Sequence, residues 1–295
     1  METRSCHGLG SPHEQPTLGR PRAVLEYSPG EILVTQLARE QVRGLLLDWD
    51  GCMVPIRGEW HAVIAKESLL RSETFSSHAS ATLQECIKAY EGPGHGIDWF
   101  ALFEQNLLKP KLEGLPHSEE LVTRVMQELR AIVPIVSAEF ARGLYAPELR
   151  ISPNPGVEDF LQAAQSFGFS LAVVTMTPTP IVEAFAERSG LKRWIKEFHG
   201  CETFADFVDT KADPDLWREA ATRVGLPTSE VAIVEDSVRS LHGAVRSGAA
   251  VVLSLTPDVG FLHAALSHNS HLWMAHHLGD ITSVETLRRS KGVPA

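Results

Sequence analysis

Two aspartates stand one residue apart, Asp48 and Asp50, directly after Leu45-Leu46-Leu47 and directly before Gly51. A second acidic pair, Glu235-Asp236, follows the apolar run Val231-Ala232-Ile233-Val234. Thr175 closes a third apolar run that starts at Leu171, and Lys211 stands just ahead of Asp213-Pro214-Asp215. Brought together, these residues make a site of four carboxylates, one hydroxyl and one ammonium. Crowded acids repel unless a cation neutralises them. Hard oxygen ligands, with no Cys or His at these strand ends, favour Mg²⁺ over zinc.

The elements around these residues explain how they could meet. The three apolar runs read as short strands buried on both faces, which predicts a parallel sheet between two layers of helices. In an open parallel sheet, ligands bind beyond the carboxyl ends of the strands. Asn154-Pro155-Gly156 opens a helix that runs through Phe167 and stops at Gly168. Helices are also expected from Ile181 to Ser189 and from Asp213 to Gly225. Further strands are expected at Glu197–His199, Ala250–Leu253 and Leu272–Met274. Before the sheet, Ser28-Pro29-Gly30-Glu31 carries the cap, proline and acid of a helix start, with Ile32, Leu33 and Leu37 on one side. Between the first and second strands, residues 60–142 hold only amphipathic helical segments, the clearest from Glu119 to Ile132. A loop rich in glycine, residues 91–96, interrupts them.

Length and charge set the outer limits. The 295 residues allow about two domains, or one core with a large insertion. The apolar fraction of 43% is that of an ordinary globular chain. A net charge of −10 argues against nucleic acid as a partner, since it repels a phosphate backbone. One local cation could still hold a small anion. No apolar run approaches the roughly 18 residues that span a bilayer, so no membrane association is expected. The four cysteines form no CxxC pair and read as reduced thiols of a cytoplasmic protein. Residues 1–27, rich in Gly, Pro and polar side chains, are expected to form a flexible tail without an export signal.

Asp48-Trp49-Asp50-Gly51, Thr175, Lys211-Ala212-Asp213-Pro214-Asp215 and Val234-Glu235-Asp236-Ser237 together resemble the four ordered motifs of the haloacid dehalogenase-like hydrolase superfamily. The likeness is to its phosphoglycolate phosphatase and β-phosphoglucomutase group, over residues 44–57 and 151–256. It implies a three-layer Rossmann-like core with an inserted helical cap. On that basis residues 28–57 and 147–295 would be the catalytic core and 58–146 the cap. The resemblance also implies roles. Asp48 would attack phosphorus and become an aspartyl-phosphate, and Asp50 would act as general acid and then general base. Thr175 would bind a phosphoryl oxygen, and Lys211 would offset the charge of Asp48 and of the transferring group. Asp236 would bind Mg²⁺ with Asp48 and the backbone carbonyl of Asp50, and Glu235 would be a further ligand or an acid behind the ligands. Asp50 is the residue that the dehalogenase branch lacks, so phosphoryl transfer is implied rather than carbon–halogen cleavage.

The chain departs from the family pattern in three places. Pro55 stands near where an Asp is usual, Ala212 replaces a proline after the lysine, and Ser240, Gly243 and Ser247 replace a glycine and two alanines. The last three are all small, so close helix-on-sheet packing is expected to survive. Arg57, Trp60, His61 and His95 are positioned to approach a substrate. Cys52 is read as a small filler. His263, His268, His271, His276 and His277 do not share a helical face and are read as surface residues rather than a metal cluster.

The expected function is Mg²⁺-dependent hydrolysis of a small phosphorylated metabolite. A sugar-phosphate mutase would use the same core residues. A non-catalytic binding or regulatory module is the alternative of another class, opposed by the presence of every acid and the lysine. A receiver-type signalling domain has similar strand-end residues, but it is compact and has no room for some 90 helical residues after its first acidic loop.

Overall fold

In the computed structural model, residues 29–55, 59–89, 99–145, 151–177, 179–200, 210–255, 272–275 and 278 are described. The expectations for the tail 1–27, for Arg57 and His95, and for the five C-terminal histidines lie outside them.

Among the described residues, six strands form one parallel sheet. They are β1 (Gly44–Leu47), β2 (Ser170–Val174), β3 (Glu197–His199), β4 (Val231–Glu235), β5 (Val251–Ser254) and β6 (Leu272–Met274), in the order β3-β2-β1-β4-β5-β6. Leu45 pairs with Leu171 on one side and Ala232 on the other. The six strands are three to five residues long and largely apolar, as expected of strands shut off from water on both faces.

Side-chain alternation divides the core in two. Leu45, Leu47, Leu171, Val173, Ala232, Val234, Val251, Leu253 and Trp273 point to one face, where α1 (Pro29–Arg39), α8 (Val157–Ser166) and α9 (Thr179–Ser189) pack. Leu46, Ala172, Val174, Ile233, Val252 and Leu272 point to the other, against Trp217, Ala220, Ala221, Leu241 and Ala244 of α10 (Pro214–Arg223) and α11 (Val238–Arg246). The result is the expected three-layer α/β arrangement. Asp213 caps α10, its carboxylate accepting from the Asp215 N–H at 3.0 Å, while Pro214 takes the first helical position.

Between β1 and β2 the described chain is helical: α2 (Glu59–Arg71), α3 (Glu73–His78), α4 (Leu83–Ala89), α5 (Trp99–Phe103), α6 (Lys109–Leu112) and α7 (Ser118–Ala141). A π turn, Glu104–Leu108, joins α5 to α6. Helix α7 is longer than the expected Glu119–Ile132 because it runs through Pro134. The proline forfeits one backbone hydrogen bond, but the buried stripe continues through Val133, Val136 and Phe140 and holds the helix together. These helices share the apolar cluster of the α1/α8/α9 face. Trp60 of α2 makes the junction, edge-on to Phe185 of α9 at 4.7 Å and stacked with Phe140 of α7 at 6.3 Å. Trp60 is buried in this junction, and its indole also stacks on His61 at 3.5 Å.

The chain leaves β1 toward β2 and β3 and later returns to build β4, β5 and β6 on the other side. The strand order thus reverses between β1 and β4, which is where such sheets open a crevice at their carboxyl ends.

Candidate active site

Asp48 and Asp50 follow β1, and Glu235 ends β4 with Asp236 just after it, so all four acids lie at that reversal point. The loop that carries the first pair is a tight turn. The N–H groups of Met53 and Val54 both donate to the Trp49 carbonyl, and the Gly51 N–H donates to the Val54 carbonyl at 2.8 Å. Gly51 has φ +87°, a conformation L side chains rarely adopt, and a Cβ there would lie 1.9 Å from Asp236 Oδ2. Glycine is required because the Asp236 carboxylate rests against this turn. Asn154 holds the turn from behind, its Nδ2 donating to the carbonyls of Gly51 at 2.9 Å and Cys52 at 3.0 Å.

Lys211 arrives from the short 3-10 turn Thr210–Ala212 ahead of α10. Its Nζ lies 2.6 Å from Asp48 Oδ1 and 2.7 Å from Glu235 Oε2, all three side chains being almost wholly buried. It does not pair with Asp213, which is engaged in capping α10. The backbone of the lysine is clamped as well. Trp217 Nε1 donates to the Lys211 carbonyl at 2.9 Å, Arg246 donates to the Ala212 carbonyl at 2.9 Å, and a Cβ at Gly243 would meet the Lys211 carbonyl at 2.2 Å. The small residue Gly243 of α11 thus makes room for the lysine turn, in addition to the packing on the sheet that the small residues of α11 were expected to allow. The turn closes with alanine where the family pattern has proline, because its position is set by these three contacts.

Thr175 follows β2. Its N–H donates to the His199 carbonyl at 3.0 Å, and its Oγ1 accepts from the Thr177 N–H at 3.1 Å. Thr177 turns its own hydroxyl to Asp50 Oδ2 at 3.1 Å. Asp50 Oδ1 has His61 Nε2 of α2 at 3.5 Å. Thr177 and Asn154 are the contributors that motif reading passed over. The signal for Thr177 was its place in the β2 loop, two residues beyond Thr175; Asn154 was visible only as a helix opener.

The electrostatics follow from one ammonium among buried acids. Burial alone would lower the lysine's pKa, but Asp48 and Glu235 outweigh it and hold Lys211 charged. Burial pushes the Glu235 carboxyl up to about 8, with Asp48 adding repulsion. Burial, joined by Asp48 and Glu235, pushes Asp236 well above the usual carboxylate range. Asp48 is raised by burial despite the opposing lysine. A single cation is insufficient for three buried carboxyls, and a bound divalent ion is the physical remedy.

The donor set fits such an ion. Among the described residues, ligand atoms of Asp48, Cys52 and Asp236 lie within 4.8 Å of one another. The two carboxylates are the hard oxygen donors Mg²⁺ takes. The Cys52 thiol is held protonated by burial and then by Asp236, Asp48 and Glu235, so it is no ligand for a hard cation. Glu235 falls outside this group; its Oε1 accepts from the Ser237 N–H at 2.9 Å and its Oε2 faces Lys211.

Among the described residues, no helix is long and apolar enough to cross a membrane. Residues 42–248 match the family model described as haloacid dehalogenase-like hydrolase. The Bacillus subtilis (strain 168) protein YhcW, described as a candidate phosphatase, is 24% identical over 212 residues, covering 72% of this chain and 83% of that protein. By structure, a predicted phosphoglycolate phosphatase from Haemophilus somnus superposes with a TM-score of 0.54 at 18% identity, covering 82% of this chain and 96% of that one. CbbY from Rhodobacter sphaeroides, solved in complex with phosphate, gives a TM-score of 0.51 at 18% identity, covering 83% and 99%. At such identities the structural likeness speaks for the fold. The family-model match spans well over half of the chain and includes both acidic pairs, the threonine and the lysine: this chain belongs to the haloacid dehalogenase-like hydrolase family.

Proposed function

We propose that the chain is a phosphatase that hydrolyses a small phosphate monoester, with Mg²⁺ and through an aspartyl-phosphate on Asp48. The observation that carries this reading is the buried Lys211 ammonium, 2.6 Å from Asp48 and 2.7 Å from Glu235, at the point where the strand order reverses. An ammonium aimed at one carboxylate tip lets that carboxylate approach a negatively charged ester.

Asp48 Oδ1 already accepts from Lys211 and from the Trp49 N–H at 2.8 Å, which leaves its second oxygen to attack. As that oxygen bonds to phosphorus, the bond to the ester oxygen breaks and Asp50 passes its proton to the leaving alkoxide. Asp50 then takes a proton from the water that attacks the phosphoenzyme, releasing phosphate and restoring Asp48. Thr177 orients Asp50 through its hydroxyl, and Thr175 offers its hydroxyl to a phosphoryl oxygen. Glu235 acts as a positioning residue for Lys211 rather than as a ligand. Mg²⁺, held by Asp48, Asp236 and the Asp50 carbonyl, would neutralise these acids and polarise the phosphoryl group.

The helices of residues 58–146 serve as a cap over a core formed by residues 28–57 and 147–295, excluding bulk water and setting specificity. The cytoplasm is the fitting compartment, since Cys52 and Cys86 are free thiols. CbbY's complex with phosphate supports a phosphoryl ligand for this site.

The test is turnover of a generic aryl phosphate with Mg²⁺ and with EDTA. Release is expected only with the metal, is abolished by Asp48→Asn, and falls by about 10²–10⁴-fold in Asp50→Asn. Turnover that survives Asp48→Asn would falsify the covalent mechanism. Discharge of trapped phosphoenzyme to water rather than to a sugar hydroxyl separates the hydrolase from a mutase.

A further inference from the structure

The loop after β1 places a soft ligand where the proposed reaction needs only hard ones. The Cys52 side chain is 1% exposed. Its Sγ lies in the same 4.8 Å group as the carboxylate oxygens of Asp48 and Asp236. Among the described residues the thiol makes no hydrogen bond, so nothing else commits it. The turn that aims it is fixed by Gly51 at φ +87° and by the two Asn154 hydrogen bonds to the carbonyls of Gly51 and Cys52.

We infer that Cys52 gives this chain a thiophilic metal site: Asp48, Asp236 and Cys52 together bind Zn²⁺, or Cd²⁺ as its probe, through a metal–sulfur bond, in competition with Mg²⁺. Mg²⁺ uses the oxygens and leaves the thiol protonated. Zn²⁺ accepts three or four ligands of mixed oxygen and sulfur type, at about 2.0–2.2 Å for oxygen and about 2.3 Å for sulfur. At a common site it also binds more tightly than the alkaline-earth ions, and thiolate sharpens that preference. As the metal–sulfur bond forms, the thiol proton leaves to solvent, and no oxidant or reductant is involved. An ion seated this way occupies the two carboxylates that Mg²⁺ would use, so Zn²⁺ would displace Mg²⁺ and lower the Mg²⁺-dependent activity. This inference shares with the phosphatase reading the premise that Asp48 and Asp236 face one cation.

The experiment uses the full chain with Cys6→Ser, Cys86→Ala and Cys201→Ser as the parent, so that Cys52 is its single thiol, and the same chain with Cys52→Ser added. Cd²⁺ titration is followed by the thiolate-to-metal charge-transfer absorption, and Zn²⁺ and Mg²⁺ affinities are measured by calorimetry. The charge-transfer band is expected in the parent and absent in Cys52→Ser. Zn²⁺ affinity should fall by more than about 100-fold in that variant, beyond what loss of an outer hydrogen-bond partner costs, while Mg²⁺ affinity stays within about twofold. A missing band in the parent, a band retained in Cys52→Ser, or equal Zn²⁺ affinity in both overturns the inference. Should Cys52→Ser fail to fold, Asp236→Asn decides: the band must weaken there, and an unchanged band places the metal elsewhere. Mg²⁺ binding without the band removes this inference and keeps the Mg²⁺ reading; the band without Mg²⁺ binding does the reverse.

Discussion

Gly51→Ala is the sharpest single probe of the site, because its effect can be worked from one distance. The added methyl would lie 1.9 Å from Asp236 Oδ2, where ordinary contact begins at 3.4 Å. The Asp236 carboxylate must therefore retreat by roughly 1.5 Å, or the turn carrying Asp48 and Asp50 must. Metal ligands tolerate about 0.2 Å of misplacement. The predicted consequence is loss of Mg²⁺ binding by more than about 100-fold, with aryl phosphate turnover falling in parallel. The backbone penalty is separate: alanine at φ +87° costs on the order of 1–2 kcal/mol. For a chain of this size that lowers Tm by about 2–8 °C. The chain should thus stay folded at room temperature, by circular dichroism, while its cation site is gone. Calorimetric titration with Mg²⁺, turnover against Mg²⁺ concentration and a melting curve make the assay. A Gly51→Ala protein that binds Mg²⁺ and turns over like the parent would refute the claim that Asp236 and this turn form one site.

Three further outcomes are expected. Trp217→Phe removes the indole N–H that holds the Lys211 carbonyl, leaving a buried acceptor unpaired at a cost of about 1–3 kcal/mol; kcat should fall with the melting temperature, and an unchanged kcat would show that the lysine is placed by other contacts. Thr177→Val removes the hydroxyl that donates to Asp50, a hydrogen bond worth about 0.5–1.5 kcal/mol, so kcat should drop about 2–10-fold with Mg²⁺ affinity intact. The third concerns pH. Glu235 is raised from 4.5 to about 8, so between those values the folded, metal-free chain holds a proton that the unfolded chain releases. The folded state then binds more protons, and stability falls as pH rises through this window, at no more than about 1.4 kcal/mol per unit per group. Asp48 and Asp236 shift the same way and add to it. In EDTA the melting temperature should decline from pH 5 to pH 8, and Mg²⁺ should flatten the decline; a rise over this range would contradict the crowding of acids at the site.

The layered core could be read from residue order because the signals are local. A strand buried on both faces must be a run of apolar residues, and Leu45–Leu47, Leu171–Val174 and Val231–Val234 are such runs. Even the three-residue β6 was visible as the apolar run Leu272-Trp273-Met274 among histidines. Helix α7 was read too short because proline is a local stop signal, whereas the stripe of Val133, Val136 and Phe140 that carries the helix past it acts only once packed.

The acids, the threonine and the lysine were likewise readable as strand-end residues, since the rule that ligands gather at carboxyl ends depends only on where strands stop. Their partners were not. That Lys211 divides itself between Asp48 and Glu235 follows from where the 3-10 turn meets Gly243 of α11 and the indole of Trp217. That Thr177 reaches Asp50, that Asn154 latches the first loop, and that Cys52 faces Asp48 and Asp236 are likewise facts of approach between segments some 100 or more residues apart, or of a turn at positive φ. Residue types and spacing specify which groups can do chemistry, because propensity and burial act along the chain. Which of them touch is decided by packing between distant segments, and no local pattern records it.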